Sequence, residues 1–341
     1  MYYLKYRPQL ITELDLTSVR ERLANILSGP IPHAFLFTGP RGAGKTSAAR
    51  IIAKYVNCQN PTKKGEPCNS CDSCKSVKDN RHLDVFEIDA ASNRGIDKIR
   101  DLRDKIGLAP SVGDHKIYII DEVHMLTTEA FNALLKTLEE PPKHAIFLLA
   151  TTEAHKLPET IKSRCIEVSF PKATPDEIVR SLKRVTKGEK LSITVEVLSH
   201  IVEVADGSFR DAVKILEEAA TKSSTITAEL LSSITGTSRG EVAKFITLLA
   251  QKDPTKLLKY IDSSVESGVD PSWLTKATLQ ELHSQFLASH GVPNTADAKT
   301  DIPKQELVKL MRALELASRE EKFSVISHMP LELAVIDWCS E

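Results

Sequence analysis

Short apolar runs alternate with amphipathic stretches over the first 170 positions. Residues 33–38, 85–89, 116–120 and 145–150 predict four strands. Residues 46–56 repeat apolar positions at helical spacing, with Ala48, Ile51, Ile52 and Tyr55 on one face. Residues 96–106 predict a charged helix, and 127–138 a helix that stops at Glu139-Glu140-Pro141-Pro142. Strands alternating with helices predict a parallel sheet covered on both faces. Ahead of it, residues 1–30 read as an extended lead-in and then a helix. Capping-box spacing from Ser18 to Glu21 precedes its apolar face Leu23, Ile26 and Leu27.

Beyond Phe170 the strand pattern stops and helices follow one another. Thr174-Pro175-Asp176-Glu177 is a helix start: a capping threonine, proline at the first helical position and glutamate closing the box. Helices near 175–186, 193–205 and 208–221 predict a small bundle. A third block begins near Ser238, with Leu307, Leu310, Met311 and Leu314 marking one helical face. The expectation is an α/β domain over 1–170 and two all-α domains over 171–236 and 237–341.

The 341 residues suffice for two or three domains with separate cores. A net charge of −1 excludes a uniformly basic surface, so nucleic-acid contact would need a local patch or several subunits together. No apolar run approaches the roughly 20 residues of a membrane span, and the N-terminus lacks a signal-peptide core. Both point to the cytoplasm, with no membrane partner. Six cysteines then favour metal or free thiols over disulfides.

Three motifs carry chemistry. Gly39-Pro40-Arg41-Gly42-Ala43-Gly44-Lys45-Thr46, followed by Ser47, fits a phosphate-binding loop between a strand and a helix. Its glycines let backbone N–H groups wrap phosphates at a helix N-terminus. Lys45 would reach the β- and γ-phosphates of ATP, and Thr46 would hold Mg²⁺. Asp121-Glu122 follows an apolar strand directly, beside the phosphate site of an open α/β sheet. Asp121 would support magnesium, and Glu122 would orient or activate the attacking water. Cys58, Cys68, Cys71 and Cys74 form a compact hydrophilic segment suited to a closed, structural Zn²⁺ site. Cys165 and Cys339 stand alone and read as small buried hydrophobes.

Together these motifs resemble the gamma/tau family of bacterial DNA polymerase III, the AAA+ ATPases of the clamp loader. The likeness runs from about Lys5 to Glu341. It is carried further by Glu87-Ile88-Asp89-Ala90-Ala91-Ser92, Asp121-Glu122-Val123-His124, Ala150-Thr151-Thr152-Glu153, Ser163-Arg164-Cys165 and Gly207-Ser208-Phe209-Arg210-Asp211. The resemblance implies a P-loop domain with a zinc-binding insert at 58–74, a helical lid and a helical collar that oligomerises. It assigns Thr152 to sensing the γ-phosphate and Arg164 to a finger that enters a neighbouring subunit's site. Arg210 would reach from the lid to its own nucleotide, and Arg7 would lie near the adenine. It implies as partners other clamp-loader subunits in a pentameric hetero-oligomer, the sliding clamp, primer–template DNA held through phosphates, and the polymerase.

Arg94, Lys98, Arg100, Arg103 and Lys105 would face DNA by the same resemblance. Interleaved Asp97, Asp101 and Asp104 explain these charges equally well as a self-neutralised exposed helix. Phe131, Leu134 and Leu135 are either a clamp-facing surface or core. Leu14 to Ser18 departs from the Val-Gly-Gln turn common in relatives. Two rival readings are another AAA+ DNA-remodelling ATPase, such as a branch-migration motor, and a non-hydrolysing clamp-loader scaffold. Intact Lys45, Thr46, Asp121 and Glu122 weigh against the scaffold.

Overall fold

The computed structural model describes residues 1–62, 65–92, 106–235, 239–292, 302–321 and 323–340. The chain divides into two compact units, Met1–Ile226 and Thr227–Glu341.

The first unit is built on a five-stranded sheet. Its strands are β1 (Ala34–Thr38), β2 (Val85–Asp89), β3 (Lys116–Asp121), β4 (Ala145–Thr151) and β5 (Ile166–Ser169). Their order is β2-β3-β4-β1-β5, and every pairing is parallel. β1 and β4 are buried along their whole length, and β3 until its last residue. This is the reason these strands read as continuous apolar runs. The hydrophobic pattern does not predict β5. Only its Val168 is buried, so it lacks an apolar run.

Helices α1 (Tyr2–Lys5), α2 (Thr17–Leu27), α3 (Lys45–Val56) and α4 (Asp72–Lys78) precede β2. α5 (Thr128–Glu139) lies between β3 and β4, and α6 (Glu159–Lys162) before β5. α3 packs on β3 and β4, while α2 lies against β5. Phe131, Leu134 and Leu138 of α5 join Leu36, Tyr118, Phe147 and Leu149 in one core, with Leu135 packed against it. Phe131 and Leu134 therefore belong to the interior. Cys165 also packs there, and burial raises its thiol to about 12.

Two expectations for the N-terminus need correction. The lead-in is helical at Tyr2–Lys5, where Glu217 accepts from the Tyr2 amide at 2.9 Å. The Ser18–Glu21 capping box does not form: α2 starts after Leu16 without a side-chain cap. The Thr17 amide instead donates to Glu177 Oε1 at 3.0 Å.

The rest of the unit is α7 (Pro175–Glu189), α8 (Val195–Val204) and α9 (Phe209–Lys222), packed on one another. Two-residue strands β6 (Ser192–Ile193) and β7 (Thr225–Ile226) pair beside them, an addition to the all-helical expectation. α7 carries the full expected capping box between Thr174 and Glu177. Ser208 caps α9 by accepting from the Asp211 amide at 3.2 Å.

The second unit is helical among its described residues. It comprises α10 (Ala228–Thr235), α11 (Arg239–Gln251), α12 (Pro254–Glu266), α13 (Pro271–Ser289), α14 (Lys304–Glu320) and α15 (Met329–Ser340). Leu307, Leu310 and Leu314 line its core with Phe245, Leu274 and Trp338, and Met311 packs against it. The helix expected over 96–106, with its cluster from Arg94 to Lys105, lies outside the described residues except for Ile106.

Candidate functional site

The glycine-rich loop Gly39–Thr46 leaves β1 at the point where the sheet order turns, between β4 and β5. A ligand crevice forms at such a switch point, beyond the carboxyl ends of the strands. The Gly39 amide donates to Thr151 O at 3.2 Å, fastening the loop to the end of β4. Two glycines are required sterically. A Cβ on Gly39 would sit 2.0 Å from Phe170 O, and one on Gly42 2.1 Å from Ser208 Oγ. Both residues also hold positive φ, at 145° and 79°. α3 starts directly after Gly44, so its first unpaired amides face the loop.

Lys45 Nζ donates to Gly39 O at 2.7 Å and Pro40 O at 2.9 Å. Burial lowers its pKa, and the charges of Glu122 and Asp121 oppose that shift. Thr46 Oγ1 donates to Asp121 Oδ2 at 2.7 Å. A hydroxyl and a carboxylate so placed are the all-oxygen donors that Mg²⁺ takes. Glu122 stands at the end of β3 in a left-handed conformation, φ 48°. Its Oε2 accepts from Thr152 N at 3.1 Å and Thr152 Oγ1 at 3.0 Å. The sequence motif alone gives His124 no role, and the structure supplies one. Its Nδ1 lies 3.4 Å from the same oxygen and 2.9 Å from Thr151 Oγ1, while its Nε2 lies 3.0 Å from Glu153 Oε2. The buried imidazole thus ties two carboxylates to the end of β4.

Lys45, Thr46, Asp121 and Glu122 border a cavity of about 680 Å³ within the first unit. Arg41, Gly42, Ala43, Gly44, Lys45, Thr46 and Ser47 line it from the loop, Asp121 and Glu122 from β3. Arg7 lines it from the N-terminal segment and donates through Nε to Ser47 Oγ at 2.8 Å. Arg210 lines it from α9, 5.0 Å above the Tyr3 ring. The Arg210 Nε is buried with no hydrogen-bond partner among the described residues. Arg50, also at the cavity, is held by a two-pronged pair with Glu87, both bonds 2.8 Å. Burial lowers Arg7 to about 10; the nearby Arg50 and Arg210 charges add to this, and Glu87 and Asp121 oppose it. Arg7, Lys45 and Arg210 on the wall, the last with an unpartnered buried guanidinium nitrogen, fit a polyphosphate.

Arg164 is not among the residues lining this cavity. It is partly exposed, pairs with Glu139 Oε1 at 2.7 Å and donates to Thr160 O at 2.8 Å. Thr152 meets the site through Glu122 alone.

The four cysteines converge. Cys58, Cys68, Cys71 and Cys74 place their sulfurs within 4.8 Å of one another. A tetrahedral zinc site with bonds of about 2.3 Å needs sulfurs roughly 3.8 Å apart, so the cluster fits one ion. Backbone amides of Cys68, Cys71 and Cys74 donate to Cys58, Cys68 and Cys71 Sγ at 3.3–3.4 Å. Hydrogen bonds from Ser70 and the backbone lower Cys68 to about 5, while burial raises Cys74. Beside the cluster Lys54 is 2% exposed. Burial lowers its pKa to about 8, and the Cys74 and Glu13 charges oppose the shift.

Comparison with known proteins agrees on a family. A model described as DNA polymerase III, delta subunit matches residues 17–174. The tau subunit of DNA polymerase III from Bacillus subtilis is 39% identical over 99% of this chain. That of Escherichia coli is 38% identical over 82%, and the gamma/tau subunit of Mycobacterium tuberculosis 36% over 91%. The chain spans 62%, 44% and 56% of those relatives. Among solved structures, Thermotoga maritima RuvB, described as a Holliday junction branch migration motor, superposes with a TM-score of 0.51. It is 18% identical, with 72% of this chain and 79% of that one covered. That likeness shows the AAA+ fold alone.

Proposed function

Since the chain belongs with the gamma/tau subunits of bacterial DNA polymerase III, we propose that it is an ATP-hydrolysing subunit of the clamp loader. In this reading residues 1–170 are the nucleotide domain, 171–236 the lid and 237–341 the collar. The branch-migration alternative has fold similarity behind it, whereas the polymerase III reading has 39% identity over 99% of the chain.

One observation carries the reading. Lys45, Thr46, Asp121, Glu122 and Arg210 meet at one cavity, while Arg164 pairs with Glu139 outside its lining. A site with every part but the finger suits hydrolysis completed by a neighbour. Lys45, Arg210 and the α3 amides would hold the phosphates of ATP, and Thr46 and Asp121 would hold magnesium. Magnesium, when bound, neutralises charge that develops on the β- and γ-oxygens. Glu122, fixed by Thr152 and His124, would orient a water in line with the γ-phosphorus and take its proton. Arg164 of the adjacent subunit would spread its donors over the transferring phosphoryl group. ATP binding would set the subunits to open the ring-shaped clamp and grip primer–template DNA, and hydrolysis would release the clamp. We place this work in the cytoplasm; no described helix is long and apolar enough to cross a membrane.

The test is ATP turnover by the chain with its partner subunits, with and without clamp and primed DNA. The expected result is stimulation that requires both. Turnover indifferent to them would overturn the reading.

A further inference from the structure

We propose that the four-cysteine loop braces the N-terminal segment that carries Arg7, so that an intact cluster strengthens nucleotide binding. The proposal rests on the nucleotide reading of the large cavity.

Two loop side chains reach that segment. Glu66 accepts from the Ile11 amide at 3.0 Å through Oε2 and from the Thr12 amide at 2.9 Å through Oε1. These are the first amides of a 3₁₀ turn, Ile11–Glu13, and such amides have no acceptor inside the turn. Leu10, ahead of them, has no side-chain acceptor to offer. The loop therefore caps this turn from 54 and 55 residues away.

Asn69 makes the second link. Its Oδ1 accepts from Lys54 Nζ at 2.6 Å. The other two donors of that ammonium go to Gln9 O at 2.7 Å and Gln9 Oε1 at 2.9 Å. Gln9 Nε2 then donates to Arg7 O at 2.9 Å, and Arg7 Nε to Ser47 Oγ at 2.8 Å, at the cavity wall. Lys54 lies on α3, the helix that starts at the phosphate loop. One unbroken route of hydrogen bonds thus joins the cysteine loop to Arg7.

The loop depends on its thiolates for this geometry. Glu66 lies two residues before Cys68, and Asn69 stands between Cys68 and Cys71 at a positive φ of 57°. Between Cys58 and Glu66 no described residue is buried, so apolar packing does not fix that stretch. Loss of the ion would free both side chains and leave the Ile11 and Thr12 amides and the Lys54 ammonium short of partners.

The experiment uses the full chain, zinc-loaded and chelator-stripped, and zinc-loaded Glu66→Ala and Glu66→Gln. Amide hydrogen exchange over residues 7–13 and affinity for a fluorescent ADP analogue are read in parallel, with zinc content measured for each sample. We expect faster exchange at Ile11 and Thr12 in stripped and Glu66→Ala protein. Affinity should fall about tenfold, the low end of what one hydrogen bond to a charged group contributes. Glu66→Gln should fall between parent and alanine. A parent that binds no adenine nucleotide overturns the cavity reading. A parent that binds, with stripped and Glu66→Ala protein within about twofold of it, overturns the brace alone. So does unchanged exchange at residues 11 and 12.

Discussion

Thr46 Oγ1 donates to Asp121 Oδ2 at 2.7 Å, joining the first turn of α3 to the last residue of β3. Thr46→Val breaks this pair. Nucleotide binding without Mg²⁺ should persist, and the gain in affinity on adding Mg²⁺ should vanish. Lys45→Ala should abolish turnover. A titration with and without the metal, paired with a phosphate-release assay, checks both; unchanged turnover in Lys45→Ala removes the phosphate-loop assignment.

Glu122 contacts Thr152 and His124 through one oxygen, Oε2. Glu122→Gln keeps that shape and loses the base. Hydrolysis should fall by about 10²- to 10⁴-fold with ATP affinity near the parent's. Single-turnover kinetics beside a binding titration separates the two effects. A matching loss of affinity would mean that Glu122 holds nucleotide rather than water.

Arg164 pairs with Glu139, but the pair is partly exposed and its contribution to stability is small. Arg164→Ala should leave the melting temperature and nucleotide affinity unchanged. In the proposed assembly with partner subunits, turnover should drop by about 10³-fold. Loss of binding by the isolated chain would instead place the arginine in its own subunit's site.

Metal analysis should find about one zinc per chain, held by Cys58, Cys68, Cys71 and Cys74. Stripping it should lower the melting temperature. Metal-free protein of equal stability would remove the zinc assignment.

Asp84 is fully buried and accepts from the Ser111, Val112 and Gly113 amides at 2.7–2.8 Å. Burial alone would raise its pKa, but the Gly113, Ser111 and Val112 amides outweigh it and the net shift is downward. A folded pKa below the unfolded value of about 3.9 means the contribution is whole above pH 4 and fades as pH falls. Asp84→Asn should cost about 3 kcal/mol at neutral pH and flatten the loss of stability below pH 4. Denaturant melts from pH 7 to pH 3 test both effects. A parallel decline in parent and variant below pH 4 would count against the assignment.

What the sequence made legible was local. Gly39 to Thr46, the four cysteines and the Thr174–Glu177 box each close over a short stretch of chain. β1, β3 and β4 stood out because they are buried on both faces. The rest depended on partners far along the chain. α1 is four residues long, without a side-chain cap, and meets Glu217. Arg7 meets Ser47 and Arg50 meets Glu87, distances in sequence that no periodicity records. His124 sat in plain view within its motif, yet its bonds to the end of β4 require the sheet to be assembled.

Glu177 shows what such long-range sharing entails. One carboxylate oxygen accepts from Thr174 at the start of α7, the other from Thr17 at the start of α2. Chimeras that splice helices α7 to α9 from a relative onto this sheet inherit a hidden compatibility rule. A donor segment without an acceptor at position 177 would orphan an amide 160 residues upstream, at a helix the exchange never touched.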